Sequence, residues 1–254
     1  MGRGDVRALV ADLRATDAGA AVVLLLQEAF RKGLDVPSAV APWARFAGRL
    51  GRGAIDAPKD IERIAEECEL DVYYVPSMRN GSPARSDEDR GNAILSSLAM
   101  SDYGAVELPF ERQRRVAVAA TISGWRSAHP GWQLRVVSAH LDNLVGPKRL
   151  WFVAAELART RQMRGLLQYL QADQAVVLGG DFNTWSGFDE RAYREAARAF
   201  PDTDVIDRRP TFGNHLRLDH MFFRLEDGWR GEFRRAESNY GSDHFPLIAT
   251  ITLP

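Results

Sequence analysis

The run Ala175-Val176-Val177-Leu178 is continuous in apolar side chains and closed by Gly179-Gly180. A stretch that short and apolar fits a strand buried on both faces, so the residues just beyond the glycines emerge at a strand end. Those residues are Asp181-Phe182-Asn183-Thr184. An Asp and an Asn two residues apart can share one side, where a carboxylate orients a water and an amide holds a charged oxygen. That is what a hydrolase acting on phosphate needs. It is also ordinary turn chemistry, because Asp and Asn cap backbone groups and tolerate unusual φ. The rest of the chain decides between the two.

At 254 residues the chain can bury a large core, and a single domain over 1–254 is expected. Its 33 Lys and Arg nearly balance 34 Asp and Glu, leaving a formal net charge of −1, so there is no global basic field to drive non-specific nucleic-acid binding. The single Cys68 excludes an intramolecular disulfide framework and a multi-cysteine zinc site, and beside Ile64 and Ala65 it reads as a packed thiol. No apolar run reaches transmembrane length, and Gly-Arg-Gly-Asp after Met1 does not open a secretory signal. A soluble, cytoplasmic monomer with no obligate protein partner is expected.

Helical spacing of Val6, Leu9, Val10 and Leu13 predicts a helix over 5–16, followed by a buried strand over 21–26 that delivers Gln27-Glu28 at its end. Residues 31–57 mix Gly and Pro with Trp43, Arg45, Phe46, Arg49 and Arg52 and read as a long excursion, suited to gripping phosphates or stacking on bases, or to packing a short helix. A helix over 60–69 and a strand over 71–75 ending at Pro76 precede a polar loop at 77–89. Strands are predicted over 92–98, 115–122 and 133–139, the last ending in His140. An amphipathic helix over 148–171 feeds the strand before Asp181, and a shorter helix over 189–200 comes after it. In Arg217-Leu218-Asp219-His220-Met221-Phe222-Phe223, alternation puts Asp219 on the face of Met221 and Phe223, which calls for a partner such as an imidazole. Ser242-Asp243-His244-Phe245-Pro246 then leads into a closing strand over 247–253.

Glu28, His140, Asp181, Asn183, Asp219, Asp243 and His244 thus all lie at or beside ends of apolar strands. With Gln27-Glu28, a strand ending in His140, Gly180-Asp181-Phe182-Asn183, Leu218-Asp219-His220 and Ser242-Asp243-His244-Phe245-Pro246 in that order, the chain resembles the endonuclease/exonuclease/phosphatase superfamily over Gln27 to Pro246. The resemblance implies a four-layer α/β sandwich, two mostly antiparallel sheets face to face with helices outside, and a divalent-metal-dependent phosphoesterase site at one sheet edge. By the same resemblance Glu28 ligates Mg²⁺ or Mn²⁺ with help from Asp243. Asp181 deprotonates the attacking water, Asn183 holds phosphoryl oxygens, and Asp219 buttresses His244 and raises its pKa. His140 takes the place of a second phosphate contact or a leaving-group acid. Asn92 and Arg115 open two strands near the site, where they touch substrate phosphate or serve as a turn Asn and a surface Arg. His129, His215 and His220 match no catalytic motif position, although His215 in its Gly-Asn-His loop is placed to border the pocket.

One family signature is missing: a first strand ending in an Asn that joins the metal site. The chain opens directly in the helix that comes after that strand, and its first Asn is Asn80. The natural start is therefore expected upstream of the given one, with weakened metal binding as a consequence. The substrate is a phosphate ester: nucleic acid, a phospholipid headgroup or a small ester. The inositol-phosphatase branch is disfavoured, because it carries a Trp-Cys-Asp-Arg type run where this chain has Arg217-Leu218-Asp219-His220. The competing expectation is a catalytically impaired module of the same fold that binds phosphate ligands without turnover.

Overall fold

A computed structural model describes residues 4–32, 60–78, 88–111, 114–126, 129–143 and 151–254. The excursion expected over 31–57, with Trp43 and its arginines, lies outside the described residues from 33 onward, as do most of the loop expected over 77–89 and the first turn expected at 148–150.

Helix α1 (Val6–Thr16) starts where the Asp5 carboxylate accepts from the Ala8 N–H at 3.1 Å. It buries Leu9 and Val10. Strand β1 (Val23–Lys32) comes next, then α2 (Ile61–Glu67), capped by Asp60, which accepts from the N–H groups of Glu62 and Arg63. Then come β2 (Asp71–Met78), β3 (Glu88–Ser96), β4 (Met100–Glu107), β5 (Val116–Arg126) and β6 (His129–His140). The second half runs α3 (Trp151–Tyr169), β7 (Val176–Asp181), α4 (Arg191–Ala199), β8 (Asp219–Arg224), β9 (Arg230–Arg235) and β10 (Leu247–Thr252).

Strand pairing gives one five-stranded sheet in the order β4-β5-β6-β7-β8, a three-stranded sheet β1-β3-β2 and a two-stranded ribbon β10-β9. Every pair is antiparallel except β6 with β7, and those two are joined by the long helix α3, the kind of crossover that parallel neighbours require. Period-two alternation sorts the side chains into layers. On β5, β6 and β7, Ala117, Ala119, Val137, Val176 and Leu178 pack against Met163 and Leu166 of α3, Leu170 just after it, and Ala192 and Ala196 of α4. Their neighbours Val118, Ala120, Val136 and Val177 face Ile94 of β3, Val23 and Leu25 of β1, and Leu247, Ala249 and Ile251 of β10. The far side of β1 and β3, through Leu24, Ala93 and Leu95 with Val22 just before β1, meets Leu9 and Val10 of α1 and Ile61, Ile64 and the buried Cys68 thiol. Helices, sheet, sheet, helices is the four-layer α/β sandwich that the family resemblance implies. Among the described residues no helix is long and apolar enough to cross a membrane.

Some predicted elements are corrected. Asn92 does not open its strand but lies inside β3, and α4 starts at Arg191 after a single 3-10 turn at Gly187–Asp189. Strand β2 passes through Pro76 to Met78, with its register against β3 shifting between those two residues, which accommodates the missing N–H.

Candidate active site

The parallel register of β6 and β7 sets His140 beside Asp181, and the antiparallel register of β7 and β8 sets Asp181 beside Asp219. Three strands thereby lay a row of His140, Asp181 and Asp219 across one end of the sheet. Close approach makes this possible. A Cβ on Gly180 would sit 1.9 Å from the Ala139 carbonyl oxygen, and one on Gly179 would sit 3.0 Å from Leu25 Cδ1 in the facing sheet. Gly180 is therefore a packing requirement of the strand that carries Asp181, and Gly179 leaves room for the Leu25 side chain.

The turn after β7 completes the row. Asn183 adopts the left-handed backbone conformation at φ 50°, which Asn tolerates better than most residues. Its N–H donates to Asp181 Oδ1 at 2.9 Å, and its side-chain amide donates to the Leu141 carbonyl at 3.0 Å. The turn chemistry expected of Asp-x-Asn is present, and it is the device that aims the Asp181 carboxylate. His244 reaches the row from the loop before β10, its Nδ1 donating to Asp219 Oδ2 at 2.8 Å. This is the imidazole partner that the alternation around Asp219 calls for. Ligand atoms of Asp181, Asp219 and His244 all lie within 4.8 Å of one another.

These contacts set the charges. Burial, then the charge of Asp219, pushes the Asp181 carboxyl up to about 7, against the pull of His244 and of the Asn183 N–H. Burial by itself lowers His244, but the hydrogen bond to Asp219 and the charges of Asp219, Asp181 and Asp243 outweigh it and lift the imidazole to about 9. The pair is therefore an imidazolium held by a carboxylate at neutral pH. His140, only 4% exposed, is pushed well below the ordinary histidine range by burial and by the Arg115 and His244 charges. Its Nε2 lies 3.4 Å from Asp181 Oδ2. A neutral imidazole suits a contact to substrate better than a leaving-group acid at pH 7.

Glu28 comes from the opposite sheet. The register of β1 against β3 shifts between Leu26 and Ala29, and Glu28 sits in that bulge with φ 53°. Bulges re-aim side chains in this way. Gln27 anchors it: its amide donates to Ser138 Oγ at 2.9 Å, and Ser138 Oγ donates to the Leu26 carbonyl at 3.0 Å, so the two sheets are stitched beside the site. The Glu28 carboxylate accepts from Arg90 at 3.1 Å. Glu28 and Asp243 line the same cavity as Asp181, Asp219 and His244, but their ligand atoms fall outside that three-residue group.

The two softer candidates are both interior. Asn92 donates to the Val116 carbonyl at 2.6 Å and more loosely to that of Ser138 at 3.4 Å, tying β3 to β5 and β6, while its Oδ1 has no hydrogen-bond partner among the described residues. It is not a turn residue. Arg115 is not a surface residue either: at 2% exposure it forms a buried ion pair with Asp142 at 3.2 Å and borders the cavity. His215 is exposed and does not line the cavity.

Sequence reading missed Arg90, the partner of Glu28, which comes after a polar stretch with no period to flag it. It also missed the supports of the loop after β6. There Gln162 Oε1 accepts from the Asp142 N–H at 2.8 Å, Arg159 donates to the Asn143 carbonyl at 2.7 Å, and the Trp185 indole N–H donates to Asn143 Oδ1 at 3.1 Å.

Fold and site together define a class. The profile of the Endonuclease/Exonuclease/phosphatase family matches residues 1–244, and the chain belongs to that family. Among particular proteins, it is 31% identical over 143 residues to the UPF0294 protein VP2298 of Vibrio parahaemolyticus, covering 55% of this chain and 47% of that one. The chain spans about half the length of the curated relatives it matches. Its fold is similar to that of the human Nocturnin catalytic domain solved with a bound sulfate anion, with a TM-score of 0.62 at 18% identity, covering 97% of this chain and 86% of that one. It is similar also to the 3′ phosphatase NExo from Neisseria bound to a product DNA hairpin, with a TM-score of 0.57 at 17% identity over 98% and 95% of the two chains.

Proposed function

We propose that the chain is a divalent-metal-dependent phosphoesterase in which Asp181 activates the attacking water. The observation that carries this reading is the row His140, Asp181, Asp219 with His244 closing it: one carboxyl held near 7 beside one imidazolium held near 9. An environment that pushes neighbouring groups apart in this way separates a base from a donor. Asp181 in its ionised form takes the proton of a water. His244, its Nδ1 committed to Asp219, offers Nε2–H to a phosphoryl oxygen as negative charge builds there. One Asn183 amide hydrogen is used by Leu141, and the second is left for another phosphoryl oxygen.

The residues fit a hard cation by their chemistry. Glu28, Asp181, Asp219 and Asp243 bring four carboxylates to one cavity, and hard carboxylate oxygens are the donors such a cation takes. Asp219 is committed to His244, so Glu28 and Asp243 are the residues that would hold Mg²⁺ or Mn²⁺, and the bound ion would supply charge stabilisation to the phosphoryl group. A phosphate-binding module without turnover is favoured by one observation, the Arg90 guanidinium already seated on Glu28.

The two readings separate in a hydrolysis assay over a 3′-phosphorylated DNA oligonucleotide, phospholipid vesicles and sugar phosphates, with Mg²⁺, Mn²⁺ or excess chelator. Asp181→Asn is expected to lower turnover by about 10² to 10⁴, the usual worth of a general base, and chelator to abolish it. Undiminished turnover in either arm overturns the enzyme reading; phosphate binding without turnover in the parent protein selects the module.

A further inference from the structure

Thr211 belongs to none of the motifs above, is fully buried and does not line the cavity, yet two of its polar atoms reach the backbone that carries Asp219 and His244. Its hydroxyl oxygen accepts from the N–H groups of Leu218 and Asp219, at 3.0 and 3.1 Å. Its carbonyl accepts from the N–H of Phe245, the residue after His244, at 2.7 Å. We propose that Thr211 is the positioning residue of the Asp219–His244 pair: it ties the strand end that carries the carboxylate to the loop that carries the imidazole, and so sets how they meet. The inference rests on the reading of this pair as the group that faces the phosphoryl oxygens.

Strand topology explains why Asp219 needs such a tie. β8 is the last strand of the five-stranded sheet and pairs within it on one side only, with β7. At its first residue the Asp219 N–H therefore turns away from β7, and it goes to Thr211. An interior N–H has to find an acceptor, and one hydroxyl oxygen with two lone pairs serves both Leu218 and Asp219. Across the sheet Asp219 stands opposite Asp181, whose like charge repels it. With its backbone fixed from behind, Asp219 keeps its carboxylate aimed at His244 instead of swinging away from Asp181.

Thr211 is itself held on both sides. Its N–H donates to the Leu216 carbonyl at 2.8 Å, closing a short hairpin. The two carbonyls before it are taken by guanidinium groups, that of Arg209 by Arg217 at 2.7 Å and that of Pro210 by Arg235 at 3.2 Å. Phe212, the next residue, bridges to both Leu216 and His244, and its ring centroid lies 4.8 Å from that of the imidazole. The same strand supplies a comparison. Farther along β8 the Thr203 hydroxyl oxygen accepts from the Phe223 N–H at 2.7 Å, where Phe223 faces Val177 and not the row. A tie that only stabilised the strand would behave alike at both places.

The test compares the parent chain with Thr211→Val, which keeps the shape and removes the acceptor, Thr211→Ser, which keeps the acceptor, and Thr203→Val. In metal-free protein with isotopically labelled histidine, the His244 Nδ1 proton held by Asp219 is read as a downfield NMR signal, assigned by its loss in His244→Gln. Thr211→Val is expected to lose this signal, whereas Thr211→Ser and Thr203→Val keep it. Thr211→Cys, with only a weak acceptor in the same place, is read alongside in case the valine variant does not fold, and the same loss is expected of it. Both valine variants are expected to lower Tm, so the signal and not Tm separates positioning from support. With Mn²⁺ and bis(p-nitrophenyl) phosphate as the probe, Thr211→Val is expected to lower kcat by about 10- to 100-fold, the usual effect of a small misplacement, with KM little changed. Thr211→Ser is expected to restore kcat. An unchanged signal in Thr211→Val or Thr211→Cys overturns the proposal, as does its loss in Thr211→Ser or in Thr203→Val. Full turnover by a variant that has lost the signal overturns it too. Absence of turnover in the parent protein counts against the phosphoesterase reading alone, and the proton signal then decides the role of Thr211.

Discussion

Asp181 sits opposite Asp219 in the β7–β8 register, and like charges placed directly across a strand pair repel. Burial, with that repulsion, raises the Asp181 carboxyl to about 7. Activity that needs the carboxylate rises as pH climbs through 7. A carboxyl-carbon NMR titration of metal-free protein is expected to find this midpoint. His244→Gln removes a cation that pulls it down, so the midpoint should move up, whereas excess Mg²⁺ should move it down; a midpoint near 4 without metal would contradict the geometry. Every residue in this row was recognisable in the sequence as a polar group at a strand end. What could not be read was which of them face each other, because register depends on pairing between strands far apart in the chain.

Between elements, a buried ion pair joins Arg159 on α3 to Glu190, the residue at the N-cap position of α4. Burial raises the Glu190 pKa even though Arg159 opposes it, so the carboxylate is held at a cost. Removing one partner strands the other in the interior, and Glu190→Ala is expected to destabilise the fold by about 3 to 5 kcal/mol in urea unfolding. Replacing both residues with Met should cost clearly less than the single change, since no charge is then left unpaired. Arg159 also holds the Asn143 carbonyl, so the single variant should loosen the loop after His140. Neither partner showed in the sequence, where each reads as one more charge on a helix. Strands β4 and β9 escaped for a related reason. They are edge strands with Ser101, Asp102 and Glu107, or Arg230, Glu232 and Arg234, on exposed positions, and such edges carry charge to discourage further pairing.

At the scale of the whole molecule, folding buries two neutral histidines. His220, 2% exposed, meets Thr184 Oγ1 at 2.7 Å among Phe182, Phe188, Tyr193 and Phe222, and burial followed by the Arg217 charge drives its pKa well below 6.5. A base whose folded pKa is depressed binds fewer protons folded than unfolded. Its contribution is therefore whole above the unfolded value near 6.5 and is lost as pH falls below it. Stability should decline toward acid with a slope of up to about 1.4 kcal/mol per pH unit from His220, and His220→Phe should flatten that part of the curve in denaturant titrations at pH 4 to 7. The chain's own pattern of short apolar runs, helical stripes and polar strand ends gave most of the elements and put Glu28, His140, Asp181, Asn183, Asp219, Asp243 and His244 at strand ends, and the family resemblance of those motifs added the layered α/β fold and the single site. The runs and stripes are local properties, written in periods of two and 3.6 residues. Tertiary structure alone decided the rest: the Arg90 partner of Glu28, the burial of Asn92 and Arg115, and the row that makes Asp181 titrate near 7. Each arises from segments dozens to hundreds of residues apart meeting across a sheet, and no local period encodes such a meeting.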